Sequence, residues 1–111
     1  MNENFAGFKE IEVAGSSVPF FENDDFIGFE TTSCTPPGPM VNAFVALNHA
    51  AKLNKRVIMI NHKFPAGLIP KIEAFYNVQS ENLASGAVRL IFTPKAGVNL
   101  PTFETNQICH G

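Results

Sequence analysis

The sequence predicts an α+β domain: a two-layer αβ sandwich with both helices on one face of a mixed sheet, extended at its N-terminus by a β-hairpin. Three observations predict it. Apolar residues recur at helical spacing after Pro39, Val57–Ile60 is a short unbroken apolar run, and residues 87–93 alternate apolar with partly polar side chains. The chain divides into an N-terminal β extension (1–24), the sandwich itself (25–95) and a peripheral tail (96–111).

Each element has a local reason. Lys9-Glu10-Ile11-Glu12-Val13 has the two-residue period of a half-buried strand. Gly15-Ser16-Ser17 turns the chain, and Val18-Pro19-Phe20-Phe21 returns as an edge strand, where a proline is tolerated. After the turn residues Asn23-Asp24-Asp25, residues 26–32 read as a further strand. Cys34-Thr35-Pro36-Pro37-Gly38-Pro39 is too rich in proline for a helix interior but suits a helix entrance, because the first N–H groups of a helix have no intrahelical acceptor. The stripe Met40, Phe44, Leu47 and Ala51, flanked by Ala43 and Ala50, predicts a helix over 39–53 with Asn54 at its exit. Val57–Ile60 suits an internal strand covered on both faces. Residues 61–67 form a loop. Leu68, Ile69, Ile72, Phe75 and Tyr76 predict a second helix, with Pro70 in its first turn. Residues 78–83 and 87–93 are two strands joined through Ser85-Gly86, the second with Val88, Leu90 and Phe92 turned inward. From Pro94 no period is visible.

Composition bounds the function. A chain of 111 residues is one domain, large enough to bury an ordinary core without a metal or disulfide. Charged residues make up 16%, below the usual figure of about 25%, so part of the apolar surface is expected to meet a partner. The Phe-rich N-terminal segment holds six of the eleven phenylalanines and is a candidate surface for a homo-oligomer. A net charge of −2 with no basic stripe argues against nucleic acid. No apolar run approaches the ~18 residues of a membrane span. Met1-Asn2-Glu3-Asn4 has no basic start and no apolar run behind it, so a cytoplasmic location with reduced thiols is expected. Cys34 and Cys109 do not form a disulfide framework.

Three stretches could carry chemistry. The proline-stiffened loop fixes the N-terminus of the first helix, whose partial positive charge can hold an anion or thiolate. Equally, it can be no more than a rigid connection. Cys34 is either a small half-buried thiol or, facing that helix end, an activated nucleophile. His62 falls at the carboxyl end of the central strand, beside Lys63. There it is either a hydrogen-bonded structural residue or, with Lys63, a holder of an anion or a general base. Arg89 reads as a solvent-facing charge and His49 as an exposed residue of the first helix. Cys109-His110 is a terminal pair. Cys34, His62, Cys109 and His110 have no metal-site spacing, so neither a metal nor a cofactor is assigned.

Asp25-Phe26-Ile27-Gly28, the Pro-Pro-Gly-Pro-Met helix entry and the βαβαββ order resemble TusA/SirA-like domains, over residues 25–95. In that family a Cys-Pro-x-Pro motif opens the helix. Matching it places Pro37 and Pro39 on the two prolines, Met40 on the hydrophobic residue after them, and Pro36 where the sulfur-carrying cysteine stands. The chain is more similar to a branch with Pro-Pro-x-Pro-Met in that place. Ile60-Asn61-His62-Lys63-Phe64-Pro65 and Leu68-Ile69-Pro70-Lys71-Ile72-Glu73 also resemble segments of that branch. The resemblance implies a sandwich like the C-terminal domain of bacterial initiation factor three, and no established reaction. The expectation is a non-catalytic domain that binds a protein partner or a small anionic ligand through Cys34, Pro36, Pro37, Gly38, Pro39, Met40, His62 and Lys63. The alternative is a sulfur carrier in which Cys34 bears the persulfide.

Overall fold

In a computed structural model, residues 3–105 are described. A single 3-10 turn (Glu3–Phe5) leads into β1 (Lys9–Ile11) and β2 (Phe20–Glu22), which pair antiparallel as the expected hairpin. Then follow β3 (Phe26–Glu30), α1 (Gly38–Leu53), β4 (Arg56–Asn61), α2 (Ile69–Ile72), β5 (Tyr76–Asn82) and β6 (Val88–Pro94). The six strands form one mixed sheet in the order β1-β2-β3-β4-β6-β5. Only the β3–β4 pair is parallel, and α1 is the crossover that a parallel connection requires.

The main core lies between the sheet and the two helices. Phe20, Ile27, Phe29, Val57, Met59, Leu90 and Phe92 point to it from the strands. Ala43, Phe44, Leu47, Ala50 and Ile72 meet them from α1 and α2, and all of these are buried. The register carries this layer across the sheet, with Phe20 opposite Phe29, Phe29 opposite Met59 and Met59 opposite Leu90. The alternation Val88, Leu90, Phe92 sets the inward face of β6, as the period predicts.

The other face has a smaller cover of its own. Phe5 packs there with Phe21, Ile60 and Ala87, and stacks on Phe21 at 5.0 Å between ring centroids. Gly28 makes room for it: a Cβ at Gly28 would lie 2.3 Å from Cε1 of Phe5. The four apolar residues of β4 therefore do serve two faces, with Val57 and Met59 toward the helices and Ile58 and Ile60 toward the Phe5 side. Of the six phenylalanines of the Phe-rich segment, Phe5, Phe20, Phe21 and Phe29 are buried within the chain and Phe8 and Phe26 are half-buried.

Helix α1 begins one residue earlier than predicted and ends where predicted. Asn54 adopts the left-handed conformation (φ 57°) that terminates a helix. Its buried surface is wider than one stripe, because Asn42, Val45 and Ala46 are buried too. Two segments cross it. Asn42 accepts from the Ser17 backbone N–H and donates to Ser17 Oγ, both at 2.9 Å, tying down the connection between β1 and β2. Asn48 exchanges two 2.8 Å hydrogen bonds with the backbone of Phe103, whose ring stacks on Phe44 at 4.8 Å. The tail expected to be peripheral is thus docked on α1 at Phe103, and Leu100 also packs against the core.

The second helix is shorter than its periodicity suggests. It closes after Ile72, and Tyr76 opens β5 instead of ending a helical stripe. Tyr76 sits four residues after Ile72, so helical spacing and strand membership coincide there. Pairing decides the outcome: seven residues of β5 face β6 from Tyr76–Pro94 to Asn82–Val88.

Candidate functional site

The parallel strands β3 and β4 end side by side, and the loops that leave them form the walls of one open cavity of about 820 Å³. One wall is Pro36, Pro37, Pro39 and Met40, at the entry to α1. The other is the loop from Asn61 to Leu68.

Short-range bonds hold both walls. In the proline loop the Cys34 N–H donates to Thr31 O (3.0 Å), the Gly38 N–H to Thr35 O (2.8 Å) and the Val41 N–H to Pro37 O (3.0 Å). Pro37 is the N-cap of α1, with no side-chain cap, and the first turn has no acidic residue. The opposite loop hangs from two buried polar residues. Thr31 Oγ1 donates to Asn61 Oδ1 at 3.0 Å, joining the ends of β3 and β4, and Asn61 Nδ2 donates to Lys63 O at 3.0 Å. These bonds satisfy groups that would otherwise be buried without partners, which fixes where His62 and Lys63 emerge. Further along, the Leu68 N–H donates to Pro65 O (3.0 Å) and the Leu68 side chain is buried. Met40 spans the gap between the walls, its Cε lying 3.5 Å from where a Cβ on Gly67 would be.

Of the residues singled out from the sequence, Pro36, Pro37, Pro39, Met40, His62 and Lys63 come together at this cavity. Cys34 and Gly38 do not line it. Cys34 is half-buried and packs against Gly38, where an added Cβ would meet the Cys34 Cβ at 3.2 Å and Sγ at 3.7 Å. Asn61, Phe64 and Leu68 line the cavity without having been singled out. Phe64 had a readable signal: it is an aromatic in a loop, and it is 45% exposed, where most large apolar side chains of this chain are buried. Thr31 and Asn61 had none, because their role depends on two strand ends meeting.

The lining has a simple chemical character. It is mostly proline, methionine, phenylalanine and leucine, and its only charged or titratable side chains are those of His62 and Lys63. His62 also borders a smaller pocket of about 370 Å³ that includes Glu30 and Thr32. Among the described residues Lys63 is in no ion pair; the pairs there are Lys55–Glu22 and Arg89–Glu81.

Other candidates are placed elsewhere. Arg89 lies on the far face of β6 and is bound by Glu81 of β5, so it is a paired charge. His49, expected to be exposed, is half-buried beside Glu12, Val13, Lys52 and Thr105, because the N-terminal segment and the tail both cross α1 there. Among the described residues no three His, Cys, Asp or Glu side chains form a group that could hold a metal ion. Cys109 and His110 lie outside the described residues. No helix among those residues is long and apolar enough to cross a membrane. Comparison with protein-family models, with curated proteins and with solved structures finds no match, so the reading of this site rests on its own geometry.

Proposed function

We propose that this chain is a non-catalytic, TusA-like binding domain that takes a small ligand or a protein partner in the cavity between the proline loop and residues 61–68. One observation carries the reading. Two segments more than twenty positions apart, the proline loop and the largely apolar stretch 64–68 with the residues leading into it, face each other as walls of one cavity, each held by short hydrogen bonds. Its volume falls in the range of roughly 300–1,000 Å³ usual for ligand sites. It holds one imidazole and one ammonium but no carboxylate, thiol or hydroxyl side chain to work with them, which suits recognition better than bond-making.

The test is a set of amide chemical-shift titrations with small acids, amines, alcohols and aromatic compounds. Shifts should gather at Met40, residues 61–64 and residues 66–68, and Gly67→Leu, which fills the gap facing Met40, should abolish them without unfolding the domain. Shifts scattered over the surface, or none with any compound, would overturn the reading.

One observation favours a sulfur-carrier reading: Cys34 stands against Gly38, the first residue of α1, at the positive end of that helix. Its half-buried packing and its absence from the cavity lining favour binding instead. Incubation with a cysteine desulfurase and free cysteine separates the two. The binding reading expects no added sulfur by intact mass, whereas a gain of one sulfur atom lost only in Cys34→Ser would establish the carrier.

A further inference from the structure

Resting on the cavity's role as a binding site, we infer that its ligand is an amphiphilic monoanion: a free carboxylic acid whose hydrocarbon body lies between the proline loop and Phe64, and whose carboxylate meets Lys63. Three features of the site point to this chemistry. The walls are apolar over both loops, from Pro37, Pro39 and Met40 on one side to Phe64 and Leu68 on the other. Phe64 is one of only two large apolar side chains left strongly exposed among the described residues, and the other, Leu53, is at the far end of α1. Burying Phe64 under a hydrocarbon body removes that exposure.

The polar end is set by charge. Lys63 is exposed at the cavity and unpaired among the described residues, and no carboxylate lines the cavity to compete for it. The first turn of α1, which forms the facing wall, carries no acidic residue, so its positive end is not neutralised. This cationic rim belongs to a chain of net charge −2, so it is a local property of the site. His62 borders both this cavity and the smaller pocket that includes Glu30, whereas Lys63 lines this cavity and not that pocket, so Lys63 is the residue to test. A cationic amphiphile would place its ammonium against Lys63 and the helix end. A purely inorganic anion would leave Phe64 and the proline wall bare.

The experiment is a titration of the full chain with acetate, butanoate, octanoate and octylammonium, each below its micelle concentration, read by amide shifts of Met40, His62, Lys63, Phe64 and Gly67. Octanoate should bind about fivefold more tightly than octylammonium, the size expected of an exposed ion pair. Affinity should rise from acetate to octanoate by up to about fourfold for each methylene buried. Lys63→Glu should reverse the preference between the two eight-carbon ions while leaving the fold intact, since among the described residues it is the backbone carbonyl of Lys63, and not its side chain, that is hydrogen-bonded. Equal binding of octanoate and octylammonium, or a preference that survives Lys63→Glu, would overturn the anion assignment and leave the cavity as an apolar site. Binding to anionic phospholipid vesicles without binding to octanoate would overturn the free-acid assignment. If no carboxylate shifts these amides but another compound of the broader panel does, this inference fails alone. If nothing does, the binding reading fails with it.

Discussion

Gly28 stands inside a strand, where glycine contributes no side chain to the pleated surface and costs backbone entropy. Phe5 supplies what Gly28 lacks, its ring occupying the space over the strand between Phe21 and Ile58. Gly28→Ala should therefore destabilise the domain by about 1–3 kcal/mol through overpacking. In a Phe5→Ala background the same substitution should cost much less, because the ring it collides with is gone. Thermal unfolding of the four proteins checks this; equal costs in both backgrounds would show that Gly28 is needed for another reason. Asn42 makes a second residue-scale prediction. It is fully buried and uses its amide for three hydrogen bonds, to the Ser17 N–H, Ser17 Oγ and Gly38 O. Asn42→Ala should cost about 1–3 kcal/mol, the usual effect of stranding buried polar groups, and denaturant titration measures it.

At the scale of elements, α1 is the best-formed piece of the sequence and also the piece least free to act alone. Its stripe, its proline entrance and its Asn54 exit are local signals, and each appears in the structure. The burial of Val45 and the half-burial of His49 are not local: both lie beside residues 12–14 and Thr105, segments distant in the chain, and Val45 sits against Gly15. The tail is the clearer case, because Phe103 stacks on Phe44 and meets Phe75 edge-on at 6.5 Å. Phe103→Ala should cost about 2 kcal/mol, less than a fully buried phenylalanine, and ending the chain at residue 99 should cost more by also removing the Asn48 pair. Urea unfolding of both variants at unchanged stability would mean that the tail rests on α1 without holding it.

For the whole molecule, Glu22 and Tyr76 tie stability to pH in opposite directions. Glu22 on β2 is held below its usual value of 4.5, first by the 2.7 Å hydrogen bond from Lys55 Nζ; burial opposes this, and the charge of Lys55 adds a smaller lowering. A lowered folded-state value means that this stability is present above the unfolded value and is lost as pH falls through the folded one. Glu22→Gln should accordingly be less stable than the parent at pH 7, by under about 1 kcal/mol for a partly exposed pair, and the difference should vanish in acid. Tyr76 behaves oppositely. Burial pushes its phenol above the usual 10.0, so its contribution is complete below that value and is lost as pH rises through the folded one. The chain has a single tyrosine, so an ultraviolet titration reports on it alone. Ionisation at the ordinary value would mean that the ring is not buried in solution.

The order of elements, the two-sided burial of β4, the inward face of β6, the limits of α1 to within a residue and the hairpin at the start are all legible along the chain, because each follows from a period or a turn residue within a few positions. Six residues of the cavity are legible too, since proline loops and a His-Lys pair at a strand end stand out along the chain. The rest depends on contacts between segments far apart in the chain. Whether Tyr76 continued a helix or opened a strand depended on pairing with β6, and whether Phe103 was loose or docked depended on Phe44 and Asn48, fifty-five or more positions away. Phe64 and Asn61 joined the site, and Cys34 fell behind it against Gly38, because β3 and β4 end together. Periodicity is a property of neighbours along the chain, whereas a cavity is a property of segments brought together by the core between them.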